Sequence, residues 1–144
     1  MLQYKTCSER ETIEKGKKFA GFLKAGDVVA LTGDLGTGKT AFVKGIAEGL
    51  FVNEPVTSPT FTLVHSYEGK DRRLHHFDVY RVHDEEALFE IGFDEYLYQE
   101  DICVIEWADL IKTLLPPNTL WVYMERTADG MDERRITIEG MEKE

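Results

Sequence analysis

Cysteine, proline, basic residues and long hydrophobic runs are all scarce in this chain, and most of these shortages exclude something. The two cysteines, Cys7 and Cys103, lie far apart. They form no C-x-x-C pair and no metal-ligand spacing, which argues against a disulfide framework or a zinc site and for a reducing compartment. No apolar stretch approaches the roughly 18 residues of a membrane span. Met1-Leu2-Gln3-Tyr4-Lys5 leads into a charged segment rather than the apolar core of a signal peptide. A cytoplasmic location is therefore expected. Lys and Arg total 17 against 27 acids, a formal net charge of -10, which repels a polyanion unless basic residues are gathered in one patch. Strong direct binding to nucleic acid is disfavoured accordingly. The 144 residues, 42% hydrophobic, suffice for one ordinary core, and with no repeat, linker or low-complexity tract a single domain over residues 1–144 is expected.

Hydrophobic periodicity alternates between short strands and helices. Ser8 followed by Glu11 matches a capping box, and Ile13, Gly16, Phe19, Ala20 and Leu23 recur at helical spacing, so a helix is predicted over 8–25, with Gly26 as its stop. Val28 to Thr32 is a buried-strand pattern, and Phe42, Val43, Ile46, Ala47 and Leu50 form a helical apolar stripe. Residues 61–67 and 74–80 read as strands joined in a hairpin through Glu68-Gly69-Lys70-Asp71. Asp84 is placed to cap a short helix carrying Leu88 and Ile91. A buried strand at 102–105 stops at Glu106, a helix through Leu110, Ile111 and Leu114 ends at Pro116-Pro117, and strands at 120–125 and 135–139 flank a turn around Asp129-Gly130.

Between the first buried strand and the helix after it lies Gly33-Asp34-Leu35-Gly36-Thr37-Gly38-Lys39-Thr40, which matches G-x-x-x-x-G-K-[ST]. Glycine at Gly33, Gly36 and Gly38 lets backbone N–H groups converge on phosphate oxygens, and the following helix N-terminus adds partial positive charge. Thr37 belongs to the same cradle. Lys39 supplies a point charge for the β- and γ-phosphates, and the Thr40 hydroxyl is a ligand for Mg²⁺. Strand, loop and helix stand in the order the motif requires. The fold expected is an α/β, P-loop NTPase-like, three-layer arrangement around a central mixed, partly antiparallel sheet.

Phosphoryl chemistry at such a loop also needs a carboxylate at the end of a neighbouring strand. Glu106, delivered by the most hydrophobic strand of the second half, is one candidate; Asp78, sharing a strand face with His76 and Tyr80, is the other. The plainer readings are a solvated strand end for Glu106 and a surface pair with Arg81 or Arg73 for Asp78. His75 and His76 point to opposite strand faces, which favours structural or surface roles over a metal pair. Thr57-Ser58-Pro59-Thr60 puts three hydroxyls on a proline-stiffened loop, able to act as a switch segment or to be an ordinary turn. Trp107 can pack on the core, stack on a ligand or mark a partner surface, with packing the default.

The succession GDLGTGKT, SPTFTLV, HFDVYR and VIEW, in this order over most of the chain, resembles the TsaE family of bacterial tRNA-modification ATPases. The resemblance implies a role in making threonylcarbamoyl-adenosine at position 37 of tRNAs reading ANN codons, with the proteins TsaD and TsaB, ATP and Mg²⁺. It also implies that Lys39 and Thr40 are the phosphate and Mg²⁺ residues, Glu106 the metal-binding acid, Asp78 a second important acid, Thr57 to Thr60 the switch-like loop and Trp107 the aromatic neighbour of the acid. tRNA would be held mainly by a partner, which suits the negative charge. With no certain arginine finger in the sequence, slow turnover by the isolated chain is expected, Arg81 being one candidate cation in cis. Two rival classes remain open: a small P-loop kinase acting on a metabolite or nucleoside, and a GTP-dependent binding switch, against which stands the lack of an evident N-K-x-D segment.

Overall fold

The computed structural model describes residues 2–34, 36–59, 63–80, 88, 90–97, 99–128 and 130–140. In chain order these form β1 (Leu2–Thr6), α1 (Glu9–Ala20), β2 (Val28–Thr32), α2 (Lys39–Gly49), β3 (Val64–Glu68), β4 (Arg73–Asp78), α3 (Phe93–Leu97), β5 (Ile102–Glu106), a 3₁₀ segment (Ala108–Leu114), β6 (Leu120–Arg126) and β7 (Arg134–Glu139). The strands make one mixed sheet in the order β1-β7-β6-β2-β5-β4-β3. Its centre, β6-β2-β5-β4, is parallel, and antiparallel pairs close both margins. The mixed α/β architecture expected from the sequence is present, including the antiparallel hairpin in the middle of the chain.

Strand alternation divides the core in two. Val29, Leu31, Leu74, Ile102, Val104 and Val122 face a layer built from α1 and α2, where Phe19, Phe42, Val43 and Ile46 are buried. Val28, Ala30, Phe77, Cys103 and Ile105 face α3 and the 3₁₀ segment, meeting Phe93, Leu97, Ala108 and Ile111. β2 and β5 are apolar on both faces because both faces are covered. Burial also drives the Cys103 thiol up to about 12, the nearby Asp101 adding to the effect, so it behaves as a small apolar side chain.

Four elements differ from expectation. α1 starts as the capping box requires, with the Ser8 Oγ accepting from the Glu11 N–H at 3.1 Å and Glu11 Oε1 accepting from the Cys7 N–H at 2.7 Å. It ends at Ala20, however, because Gly21 is the C-cap and the chain then turns through Phe22 and Leu23. The predicted helix around Leu110 is a 3₁₀ segment broken at Ile111, whose φ of -128° is not helical. β1, unexpected from the sequence, is a margin strand held by pairing with β7 and largely exposed. α3 was also unforeseen; Asp84 lies outside the described residues, and Leu88 is helical and buried. The strand predicted at 61–67 is observed over Val64–Glu68, Phe61 and Thr62 lying outside the described residues, and the turn residue Asp129 does likewise.

α1 and α2 cross at glycine. A Cβ at Gly16 would overlap the Phe42 carbonyl oxygen, and one at Gly45 would overlap the Ile13 carbonyl oxygen, backbone that has nowhere to move. The helices therefore touch main chain to main chain. Gly45→Ala is expected to destabilise the chain by about 2 kcal/mol or more, against the roughly 1 kcal/mol gain that Gly→Ala brings to an open helix position. Urea unfolding of the variant beside the parent checks the sign; a stabilised Gly45→Ala would show that the helices are free to separate.

Candidate functional site

β2, β5 and β4 run parallel, so their carboxyl ends share one edge of the sheet. Their register aligns Leu31 with Glu106 and Glu106 with Asp78. Two carboxylates thus stand on adjacent strands, whose backbones lie about 5 Å apart, beside the loop that leaves β2. Both are almost fully buried, Asp78 at 4% and Glu106 at 3% exposure. The plain reading of Asp78 as a surface acid paired with Arg73 is corrected: Arg73 pairs with Glu68 at 2.7 Å, and Asp78 Oδ1 accepts the Tyr80 N–H at 3.0 Å. Glu106 is likewise not a solvated strand end. Its Oε2 lies 2.6 Å from His76 Nε2, and since a carboxylate only accepts, that nitrogen carries the proton.

The glycine loop is braced from within and without. Thr37, buried, donates its hydroxyl to the Asp34 carbonyl at 2.8 Å. Gly38 sits in the left-handed region at φ 96° and directly precedes α2, whose first turn has no acid and no side-chain cap. The N–H groups at that terminus are thus left for an anion. Gly33 passes so close to β6 that a Cβ would stand 2.5 Å from the Met124 carbonyl oxygen. From outside, Arg134 Nη2 donates to the Gly36 carbonyl at 3.2 Å, while its Nη1 donates to the carbonyls of Met131 and Glu133. Arg134 ties the β6–β7 connection to the loop across 98 residues of sequence.

Lys39 is buried beneath Trp107. Its ammonium donates to the Gly33 carbonyl and, at 3.2 Å, to the Asp34 carbonyl, and lies 3.8 Å from the Trp107 ring centroid. Burial pushes its pKa below that of a free lysine, while Glu106, Asp78, Asp34 and Asp109 pull it back up. Trp107 holds this position with a left-handed backbone, φ 62° and ψ 32°, its N–H donating to the Leu31 carbonyl, and its ring meets Tyr80 at 4.6 Å. For a non-glycine residue such a conformation costs of order 1–3 kcal/mol. Trp107 thus combines core contact with a place in the site.

A cleft of about 460 Å³ joins these groups. Gly36, Gly38, Lys39, Thr40, Ser58, Asp78, Glu106 and Trp107 line it, so most of the residues singled out in the sequence converge on one space. Thr37 and Gly33 form the loop behind. Thr57 is held away from the cleft by side chains of β3, its N–H donating to the Tyr67 hydroxyl at 3.2 Å and its hydroxyl 3.3 Å from His65 Nδ1; Thr60 and Arg81 lie outside the described residues. The other wall is one that sequence reasoning missed: Ser8, Glu9 and Thr12 from α1 and its cap, and Asp132 and Arg134 from the far end of the chain. Nothing local marks these as site residues, and only the sheet order brings them to the loop. His75 and His76 do take opposite faces, but both are buried, so a surface role is corrected for each.

The donor set around Thr40, Asp78 and Glu106 consists of hard oxygens, and two buried carboxylates abreast fit a divalent cation such as Mg²⁺. Thr40, Glu106 and Asp78 are the residues able to hold it.

A mixed sheet with a parallel centre, whose central strand opens through a G-x-x-x-x-G-K-[ST] loop into a helix and whose strands β5 and β4 end on acids, defines a P-loop α/β protein. Residues 6–136 match the family described as threonylcarbamoyl adenosine biosynthesis protein TsaE, and the chain belongs to that family. It is 45% identical over 137 residues to the tRNA threonylcarbamoyladenosine biosynthesis protein TsaE of Bacillus subtilis, covering 95% of this chain and 84% of the relative. Identity to the Treponema pallidum protein of the same name is 43%, over 91% of this chain and 95% of that one. A crystal structure of Bacillus subtilis YdiB superposes with a TM-score of 0.81 at 41% identity, covering 95% of this chain and 83% of that one. Among the described residues no helix is long and apolar enough to cross a membrane.

Linkage gives the Lys39 environment a measurable sign. A folded-state pKa below the unfolded value of 10.5 means that the charged form opposes folding. This cost is full below the folded pKa and fades as pH rises toward 10.5. In urea unfolding without nucleotide, the stability of the parent relative to Lys39→Met is expected to rise between pH 7 and pH 10; a falling difference would mean that the nearby acids outweigh burial.

Proposed function

We propose that this chain is a Mg²⁺-dependent ATPase subunit required for threonylcarbamoyl-adenosine formation at position 37 of ANN-decoding tRNAs, acting as one cytoplasmic domain with TsaD and TsaB. The observation that carries the chemical part is the buried alignment of Glu106 and Asp78 beside Lys39 at the end of the parallel strands. Membership of the TsaE family supports the pathway. In this reading the triphosphate lies along the N–H groups of residues 36–40, and the nucleoside extends toward Ser8, Glu9, Thr12, Asp132 and Arg134, the wall at the other end of the cleft.

The chain's own residues supply positioning and charge. Lys39 leaves its carbonyl partners for phosphate oxygens, a stronger, charge-assisted contact. Thr40 and Glu106 hold Mg²⁺, which supplies the charge that neutralises the developing negative oxygens. His76 donates to one Glu106 oxygen and so fixes the direction of the other. Asp78 secures the turn at Tyr80 and faces the same cleft. Ser58 lines the cleft, and in this reading the Thr57 to Thr60 loop, ordered by ATP and released with ADP, would couple hydrolysis to assembly or resetting of the complex. tRNA is met only through the partners, in keeping with the net charge of -10.

Phosphate release from ATP and GTP with Mg²⁺, for the purified chain alone and with TsaD and TsaB, tests this reading. Slow release from ATP, stimulated by the partners, is expected. Lys39→Ala should weaken ATP binding, and Glu106→Ala should lower turnover by roughly a hundredfold while retaining nucleotide. Unchanged turnover in both variants would reject the site, and phosphate transferred to an added metabolite or nucleoside would mark a kinase.

A further inference from the structure

On the opposite face of the sheet from the phosphate loop, Ser66, His75 and Asp101 form a hydrogen-bonded relay. Ser66 on β3 stands directly across from His75 on β4, with Ser66 Oγ 2.8 Å from His75 Nδ1 and His75 Nε2 2.8 Å from Asp101 Oδ2. In the neutral ring the carboxylate, which can only accept, sets the proton on Nε2 and leaves the lone pair on Nδ1, to which the Ser66 hydroxyl then donates. That is the polarity a general base needs toward a serine nucleophile, the orienting acid having chosen the tautomer.

Burial and access are divided as such chemistry requires. The His75 ring is buried, 4% exposed, against the edge of Tyr96 with centroids 4.8 Å apart, whereas Ser66 is exposed. Ser66, His75, Arg73, Tyr96 and Gln99 line a cavity of about 350 Å³. β3 is the margin strand of the described sheet. The bonds Asp78 N–H to Leu63 O and Gly69 N–H to Arg72 O fix the alternation of its rungs, which leaves the Ser66 N–H turned to the open edge. Among the described residues that N–H has no strand beside it, and a serine can offer such an N–H to an oxyanion formed at its Oγ.

We propose that Ser66, His75 and Asp101 are a second reactive centre, in which Ser66 accepts acyl groups from activated esters: Ser66 the nucleophile, His75 the general base and Asp101 a positioning residue. As the Ser66 oxygen bonds to the acyl carbon its proton passes to His75 Nδ1. As the ester C–O bond breaks the proton goes to the departing alcohol. Water repeats the sequence, releasing a carboxylic acid and restoring Ser66.

The test uses the full chain with a fluorophosphonate probe, which bonds to an activated serine with loss of fluoride, and with p-nitrophenyl acetate. Mass spectrometry is expected to place the adduct on Ser66, and p-nitrophenol is expected to be released. Ser66→Ala should abolish both signals. Asp101→Asn, which no longer enforces the tautomer, should slow labelling by roughly a hundredfold, with nucleotide binding at Lys39 reporting that the chain is folded. No adduct on Ser66 overturns the proposal in the parent chain alone; an equal rate in folded Asp101→Asn overturns the role of the acid.

Discussion

The register of three parallel strands governs this molecule. Leu31, Glu106 and Asp78 stand abreast because β2, β5 and β4 are paired without a slip, and a shift of one residue would turn both acids to the opposite face. Both faces are packed, by α1 and α2 on one side and α3 with the 3₁₀ segment on the other, so such a shift would also drive charge into the other apolar layer. The same apolar packing that makes β2 and β5 hydrophobic throughout forces the acids to the strand ends, where Lys39 and the cleft are the neighbours that can accommodate them.

How far the sequence foretold the arrangement follows from whether each signal was local. The glycine loop, β2 and α2 are adjacent in the chain, and their pattern specified loop, strand and helix together. Glu106 was legible because a continuous apolar run ends on it, and Asp78 because alternation placed it with His76. Arg134 was not, since its contact to Gly36 depends on β6 pairing with both β2 and β7. β1 escaped notice because Leu2–Thr6 buries little, leaving no apolar stripe to read. The end of α1 was overrun because Leu23 kept the helical spacing although Gly21 had already closed the helix.

His75 and His76 show how two adjacent residues serve unrelated ends. One ring meets Asp101 and Ser66, the other meets Glu106, and the sheet separates them. Among the described residues His76 Nδ1 has no hydrogen-bond partner. An uncharged ring with its proton on Nε2 leaves only an acceptor unsatisfied there, a smaller penalty than a buried N–H without an acceptor would be.

The glycine crossing of α1 and α2 has a mechanical consequence for the cleft. Ser8, Glu9 and Thr12 on one side and the phosphate loop at the head of α2 on the other belong to helices locked backbone to backbone. Those two walls form one jaw of fixed span. Whatever opens or narrows the cleft must therefore work from the remaining sides, where Asp132 and Arg134 stand at the β6–β7 connection and Ser58 on a segment without helix or strand, anchored to β3 through Thr57.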